Sequence, residues 1–263
     1  MTGFASCRFE IGETAVTIAA DSRHIPRAVE AIATTRAAIE RQISADPFFL
    51  TTFDPYDPER ATSAVTRRMC DAAASAGVGP MATVAGIVAQ EALEAMTDDG
   101  CEHGWVDNGG DIALILDRET TVEVFHGQGR DSAFGLVVGP SDGIIGVCSS
   151  SATLGHSISL GAADVSVAVA DSAPLADAIA TAICNRVRTR EDLATCFDEA
   201  RLIDGFTGGI VVLGEDTALA GRVPRMVEVE HNHSKLTAHS RMASCVFTGG
   251  GAERSSAQQG VIP

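Results

Sequence analysis

Apolar positions recur along the chain with two different spacings, and these spacings predict where helices and strands lie. Spacing of three or four residues predicts helices, and proline at the start or glycine at the end marks several of their boundaries. The predicted helices cover residues 25–44, 58–76, about 80–98, 175–187 and, more briefly, 190–202.

Short apolar or alternating runs predict strands. They cover residues 15–18, 112–116, 121–125, 134–138, 144–148, 165–170, 210–213 and 225–230, with turns at 208–209 and 214–221. Only four residues separate the runs 112–116 and 121–125, which predicts a hairpin. Hairpins dominate and regular βαβ alternation is absent, so the pattern favours an α+β fold with mainly antiparallel sheet.

Length and charge restrict the class of protein. The chain has 263 residues, of which 45% are hydrophobic, and a formal net charge of −16. Residues 1–245 suit one domain with two subdomains, followed by a Gly-, Ser- and Gln-rich tail, 246–263, predicted to be mobile. The acidic balance argues against nucleic acid or an acidic membrane as partner, whereas a phosphorylated small molecule can still bind through backbone amides or a metal.

Lysine and cysteine usage narrow the chemistry further. Lys235 is the single lysine, so a P-loop lysine is absent. Any positively charged binding or catalytic group must therefore be an arginine, a histidine or a metal. The seven cysteines form no Cys-x-x-Cys pair, which indicates free thiols in a reducing compartment. The N-terminus has no apolar signal core, and the most apolar helix segment, 81–89, is too short for a membrane span. We therefore expect a cytoplasmic protein.

The first candidate site is a polar corner in front of the apolar run 112–116. Asp107, Asn108 and Asp111 frame Gly109 and Gly110, which can adopt positive φ and bring backbone N–H groups close to a ligand. A turn with solvated acids before a core strand is the alternative. The small-residue segment 77–85, which includes Gly79 and Ala82, leaves a similar choice between ligand access and close helix packing.

The second candidate site lies on the predicted helix 175–187. Asp177 and Thr181 are four residues apart and share a face, so both can offer oxygen to a hard cation such as Mg²⁺. An exposed aspartate beside a threonine is the alternative. The hydroxyl-rich loop 149–157, with Ser150, Thr153 and His156, could hold phosphate or be an ordinary turn.

Two further features leave a choice open. The aromatic loop 45–58 either caps the core or acts as a lid or ring-stacking platform. His231 and His233 lack a third metal ligand nearby, so a metal role for them is weakly supported.

Three blocks in order resemble the ApbE superfamily, whose best-known members are FAD:protein FMN transferases. Residues 77–86 (GVGPMATVAG) resemble that family's glycine-rich helix start, and 108–112 (NGGDI) its Asn-x-Gly-Gly-Asp/Glu element. The most specific block, 165–169 (VSVAV) with 173–182 (APLADAIATA), is similar to its Ser-Val-Thr-Val strand and Ala-Asp-Ala-Leu-Ala-Thr-Ala helix. Residues 149–161 (SSSATLGHSISLG) give a likeness to an uncharacterised branch.

The resemblance implies an α+β fold of two similar halves, each a mainly antiparallel sheet backed by a pair of helices. It implies that Asp177, Thr181 and a carbonyl near Ala82 or Ala85 bind Mg²⁺, which would bridge to the FAD pyrophosphate. The remaining implied site residues are a catalytic His156 and the cofactor-binding residues Gly79, Asn108, Gly109, Gly110, Asp111, Ser150 and Thr153.

The activity implied is FMN transfer to a protein acceptor or FAD hydrolysis. The transferase motif's lysine and Asp-Pro are missing here, since 81–86 contains no lysine and Ser159-Leu160 replaces Asp-Pro. A non-catalytic binding or accessory protein, perhaps in sulfur assimilation, is therefore an alternative. A third interpretation is a homo-oligomer with no ligand, in which a neighbouring chain closes the 77–86 surface.

Overall fold

The computed structural model describes residues 3–12, 14–125, 133–152 and 161–228. The predicted tail and the histidines at 156, 231 and 233 lie outside these ranges. In the described part, the helices are α1 (Ile25–Ala45), α2 (Phe48–Thr51), α3 (Ala64–Ala76), α4 (Val84–Asp98) and α5 (Ala173–Arg186). The strands there are β1 (Phe4–Ile11), β2 (Thr14–Asp21), β3 (Gly104–Asp107), β4 (Asp111–Ile115), β5 (Thr120–Phe125), β6 (Ala133–Val138), β7 (Ile145–Ser150), β8 (Val165–Ala170), β9 (Phe206–Leu213), β10 (Asp216–Gly221) and β11 (Arg225–Glu228).

Eight of these strands form one antiparallel sheet in the order β1-β2-β3-β4-β7-β8-β9-β10. The sheet consists of two four-stranded halves that meet where β4 pairs with β7, with Asp111 opposite Cys148. In each half, helices connect the second strand to the third. The α+β class and the two antiparallel halves are thus confirmed. The expected pair of helices behind each half differs from the described structure, in which α1, α3 and α4 belong to the first half and α5 belongs to the second.

The large sheet is covered on both faces. Buried residues of α1, α3, α4 and α5 form one core against it. On the opposite face lies a three-stranded sheet of order β11-β6-β5, and its apolar side chains pack against Leu114, Leu116 and residues of β7, β8 and β9. The chain is therefore built in three layers, and both faces of β4 and β7 are buried.

The predicted hairpin between 112–116 and 121–125 is wrong. Both edges of β4 are already paired, with β3 on one side and β7 on the other, so β5 leaves the large sheet and pairs with β6. Leu116 and Val122 still belong to one buried cluster, because the two sheets pack face to face. The run of apolar residues predicted the strands correctly, but strand pairing depends on which edges are free.

Several boundaries differ from the pattern for local reasons. Helix α3 begins six residues after the predicted start, because Ser63 forms a capping box with Thr66, and Pro58–Arg60 is a separate 3₁₀ turn. Gly77 ends α3 at φ +70°, as expected. The predicted helix 190–202 is two 3₁₀ segments, Arg190–Ala194 and Ala200–Leu202, and the predicted turn 214–221 contains β10.

Within the described ranges, no single helix combines the length and apolar character needed to cross a membrane; α3 taken with Pro80–Asp98 meets that test only as a pair bent by 103°.

Candidate functional site

The glycine corner is a two-residue hairpin loop between β3 and β4. Gly109 and Gly110 have φ of +73° and +100°, the positive values that the favoured two-residue hairpin turns require at both central positions. The loop is closed by the Asn108 N–H, which donates to the Asp111 carbonyl over 3.1 Å. The Gly110 N–H donates to Asp107 Oδ1 over 2.9 Å. The aspartate at 107 therefore fixes the turn and is not merely solvated.

The starts of α4 and α5 meet beside this hairpin. A Cβ on Gly86 would lie 2.5 Å from the Ala173 carbonyl oxygen, so the absence of a side chain there sets the distance between the two helices. The Ala173 N–H donates to Oε1 of buried Gln90 over 2.9 Å. Gly86, directly after the segment 77–85, thus serves close helix packing. Met81, Val84 and Ala85 line the cleft described below, so ligand access at that segment stays a prediction.

Asp177 lies at the point where these elements converge. Its Oδ2 accepts the Gly86 N–H over 2.9 Å, and the residue is only 8% exposed. The side chain of Asn108 donates to the neighbouring Ala85 carbonyl over 3.2 Å, which ties the glycine hairpin to the same helix start. The alternative of an exposed aspartate is excluded, because Asp177 is buried and faces the hairpin side of the helix layer.

Burial and mutual repulsion raise the pKa values of three acids in this region. Burial raises the pKa of Asp177 to about 7, against the opposing effect of the Gly86 and Ala85 N–H groups. The pKa of Asp111 is raised well above its ordinary value, first by burial and then by the charge of Asp177. Burial also raises the pKa of Asp107. The negative charges of this cluster are therefore poorly compensated by the protein itself.

An oxygen of Asp111 and the thiol of Cys148 show the same lack of compensating positive charge. Within the part of the chain that the structure describes, Asp111 Oδ1 is buried and has no hydrogen-bond partner. Cys148 is buried beside the acids, its Sγ donates to the Ala173 carbonyl over 3.3 Å, and burial with the nearby Asp111 charge raises its thiol pKa well above the ordinary value. A thiol in this state is protonated and a poor nucleophile.

The hairpin, with Asp107 and Asp111, opens onto a cleft of about 950 Å³. Its apolar wall comes from the helices α1, α2 and α4 and from the strands β4, β5, β7 and β8. The polar lining includes four acids and, among the described lining residues, one basic side chain, Arg36. The described residues of that lining are Thr14, Arg36, Ile39, Glu40, Ile43, Leu50, Met81, Val84, Ala85, Val88, Asp107, Asn108, Gly109, Gly110, Asp111, Ile112, Val122, Glu123, Val124, Phe125, Val147, Cys148, Ser149, Ser150, Ser151, Val165 and Val167.

The structure brings together most, but not all, of the predicted site residues. Ser150 lines the cleft with the four hairpin residues 108–111. Asp177 does not line it; its carboxylate accepts the Gly86 N–H directly behind the cleft-lining Ala85. Thr181 is half-buried one turn further along α5 and does not line the cleft. Gly79 and Ala82 lie outside the lining as well; a Cβ on Gly79 would lie 2.0 Å from the Thr52 carbonyl oxygen, so this glycine serves chain packing. Thr153 and His156 fall outside the described residues.

The donor set can be tested against the Mg²⁺ that the resemblance implies. No group of three or more His, Cys, Asp or Glu side chains in the described ranges could hold a metal by itself. Mg²⁺, however, is usually held by one or two carboxylates together with water and ligand phosphates. Half-buried Asp111 and buried Asp177 supply two neighbouring carboxylates, and Asp111 Oδ1 has no hydrogen-bond partner among the described residues. The residues fit such a site.

Neither the place of Arg36 on the cleft wall nor the place of Cys148 beside the acids was predicted from the sequence. Arg36 lies in the middle of α1, four residues after Ile32 and three before Ile39, so its spacing places a charged side chain on the apolar face of that helix, which is a signal that could have identified it. Cys148 follows an apolar run, so its sequence environment indicates packing alone. Its register opposite Asp111, which the tertiary structure decides, brings it beside the acids.

Solved structures with the same architecture define the class. The chain aligns with the flavinyl transferase ApbE of Pseudomonas stutzeri at a TM-score of 0.53 and 11% identity, covering 85% of this chain and 95% of that one. It aligns with the ApbE protein of Thermotoga maritima at a TM-score of 0.51 and 13% identity, covering 89% and 99%. At these identities the likeness establishes an ApbE-like fold.

The family follows from sequence. A family model described as AbpE bacteria matches residues 2–204, and the chain belongs to this family. It is also similar to UPF0280 proteins of Methanocella arvoryzae (41% identical over 232 residues, covering 88% of this chain and 95% of the relative) and Methanosarcina acetivorans (44% over 232 residues, covering 87% and 91%).

Proposed function

We propose that the protein binds a flavin nucleotide with Mg²⁺ and acts on its pyrophosphate, by FMN transfer from FAD or by FAD hydrolysis. One observation carries the proposal: the carboxylates of half-buried Asp111 and buried Asp177 lie together beside the glycine hairpin, and the buried Asp111 Oδ1 has no hydrogen-bond partner among the described residues. The ApbE-like fold supports the choice of a flavin as ligand.

A divalent cation would remove the electrostatic cost of this arrangement. Two neighbouring carboxylates that are shielded from water disfavour each other's ionised form, and the pKa values of both are raised. No described basic side chain hydrogen-bonds to either of them. Asp111 and Asp177 would hold Mg²⁺, which neutralises pyrophosphate charge when it is bound.

The remaining residues would bind and orient the ligand. The hairpin exposes a positive-φ backbone with open space around Gly109, where a phosphate oxygen can approach the main chain. Ser150 lines the same part of the cleft, and the side chains of α1 and α4 offer an apolar surface to a ring system. In either reaction an oxygen of water or of an acceptor hydroxyl forms a bond to the FMN phosphorus, AMP leaves, and the proton of the attacking group passes to a base or to solvent.

Binding without turnover is the second candidate, and one observation favours it. Asp177 is occupied as a helix-start acceptor of the Gly86 N–H, and the segment 80–86 lacks the lysine of the transferase motif. An accessory protein that carries a flavin needs the cleft but not that lysine. We extend the proposal to a cytoplasmic location, which is supported by the six described cysteines, since none of them forms a disulfide.

Equilibrium dialysis of the purified protein against FAD, with MgCl₂ or with EDTA, tests the proposal. We expect FAD retention with Mg²⁺, and at least a tenfold loss of affinity in EDTA or in Asp111→Asn and Asp177→Asn. Asp71→Asn is the matched control, because Asp71 is exposed on α3 and does not line the cleft. It should bind as the unaltered protein does.

The assay also separates the two candidates. Release of AMP from retained FAD supports chemistry, whereas unchanged FAD after long incubation supports binding alone. If the unaltered protein retains no FAD in Mg²⁺, or if both asparagine variants bind it as well as Asp71→Asn does, the proposal is wrong.

A further inference from the structure

Arg36 is placed on the wall of the cleft by contacts with two different elements. Its Nη1 donates to Oγ1 of Thr14, at the start of β2, and its Nη2 pairs with Glu40 over 3.1 Å, one turn along α1. The side chain is only 21% exposed. These two contacts use two of the five N–H donors of a guanidinium group. The group is therefore held in position with donors to spare.

The charge around Arg36 makes it unusual in this cleft. The described lining contains the acids Glu40, Asp107, Asp111 and Glu123 and no other basic side chain. A cleft with that balance repels anions everywhere except near the guanidinium group or near a bound cation. A partly apolar lining next to one fixed arginine suits a ring compound that carries a phosphate.

We propose that Arg36 is an anion-binding residue that selects phosphorylated over unphosphorylated ligands, and that Glu40 opposes it by competing for the same guanidinium group. The inference rests on the proposed function for the identity of the ligand as a flavin, but not for the anion site itself. A planar guanidinium group can donate two parallel hydrogen bonds to a phosphate. The incoming anion displaces the Glu40 carboxylate from the Arg36 guanidinium group or shares that group with it.

The two residues should therefore change anion binding in opposite directions. Arg36→Gln removes the charge and weakens phosphate binding, roughly tenfold or more. Glu40→Gln removes the competing carboxylate and the local repulsion, so anion binding becomes a few-fold tighter. General damage to the fold would not improve binding, which makes the second variant the more discriminating one.

The first experiment avoids the metal and the flavin. The probe is inorganic pyrophosphate in EDTA, and the readout is the shift in melting temperature as its concentration increases. We expect stabilisation of the unaltered protein, no stabilisation of Arg36→Gln, and half-saturation at lower pyrophosphate for Glu40→Gln. Arg41→Gln is the matched control, because Arg41 is exposed on the same helix and does not line the cleft.

The second experiment compares FMN with riboflavin by calorimetry in Mg²⁺. Arg36→Gln should lose about tenfold in FMN affinity and less than twofold for riboflavin, and Arg36→Lys should recover part of the loss. If Arg36→Gln does not fold, the Glu40→Gln and Arg36→Lys titrations still test whether Arg36 binds the anion in competition with Glu40.

The outcomes distinguish the two proposals. If the unaltered protein binds no flavin in Mg²⁺, the proposed function fails, while the pyrophosphate titration in EDTA still tests Arg36. The inference is overturned if pyrophosphate does not stabilise the unaltered protein, if Arg36→Gln responds like Arg41→Gln, or if Glu40→Gln weakens anion binding.

Discussion

Asp177 accepts the backbone N–H of Gly86 at 2.9 Å, although 91 residues separate the two in the chain. This hydrogen bond joins α5, in the second half of the fold, to the start of α4, in the first half. The same carboxylate lies beside Asp111 at the seam between the halves. One side chain thus links the packing of the halves to the candidate ligand site.

Replacement of Asp177 should show how much its hydrogen bond to Gly86 contributes to the stability of the fold. In Asp177→Ala the buried Gly86 N–H loses its acceptor, which costs about 1–3 kcal/mol of unfolding free energy. Asp177→Asn keeps an acceptor oxygen and should lose less than half of that amount. Urea unfolding in EDTA measures both, and equal losses in the two variants would show that the hydrogen bond does not account for the effect.

The metal-free protein should become less stable as the pH rises. The pKa of Asp177 is about 7 in the folded chain against an ordinary value of 3.8, so between these values the folded state binds more protons than the unfolded state. Its unfolding free energy therefore falls as pH increases through this window, on the order of 2 kcal/mol from pH 5 to pH 8. The raised pKa of Asp111 acts in the same direction.

Urea unfolding in EDTA across this range checks the sign, and Asp177→Asn should flatten the dependence. A metal-free protein whose stability rose from pH 5 to pH 8 would contradict the placement of these acids.

Added Mg²⁺ should oppose this loss at high pH. A cation present at one hundred times its dissociation constant stabilises the folded state by about 2.7 kcal/mol. That corresponds to a rise of roughly 5–10 °C in melting temperature for a domain of this size. Differential scanning calorimetry at pH 8 with and without MgCl₂ measures it. An equal rise in the Asp111→Asn, Asp177→Asn double variant would place the cation elsewhere.

Close packing of α4 against α5 should make Gly86 intolerant of a side chain. Its Cβ would lie 2.5 Å from the Ala173 carbonyl oxygen, so Gly86→Ala must push the helices apart, at a cost of about 1–3 kcal/mol or more. Gly139→Ala is the matched control, because nothing lies within 4 Å of the added Cβ there. Thermal unfolding of both variants measures the difference, and similar melting temperatures would refute the packing argument.

Gln90 should hold the first turn of α5 in place. Its Oε1 accepts the Ala173 N–H, and its Nε2 donates to Glu94, which pairs with Arg68 on α3. Gln90→Met preserves volume but leaves a buried N–H without an acceptor, at a cost of about 1–3 kcal/mol. We expect faster amide hydrogen exchange at the start of α5. Unchanged exchange there, with lower global stability, would assign Gln90 a packing role only.

The sequence predicted several elements well because their signals are local. Proline at the start of α1 and glycine after α3 mark helix ends through backbone geometry that any surroundings preserve. The apolar run before Cys148 indicates a buried strand whichever strands flank it. The resemblance of 108–112 and 165–182 to the ApbE superfamily identified the fold, which the structure and the comparisons confirm.

Other features depend on contacts between distant parts of the chain. The partner of β5 was mispredicted because a run of residues does not show that both edges of β4 are occupied. The burial of Asp177 and the position of Arg36 on a cleft wall follow from the packing of whole helices. A four-residue spacing places two side chains on one face, but it does not determine what that face meets; here Asp177 meets the start of α4, and neither Asp177 nor Thr181 lines the cleft.

The sequence by itself determined most of the strands, the main helices, the turn at Gly109 and Gly110 and the family, because backbone preferences and short motifs act over a few residues. Only the tertiary structure decided which acids stand together, since the pairing of β4 with β7 brings Asp111 opposite Cys148 and the packing of α5 on α4 brings Asp177 to them. The raised pKa values have the same origin, because burial and charge repulsion depend on distances that are set after the elements have assembled.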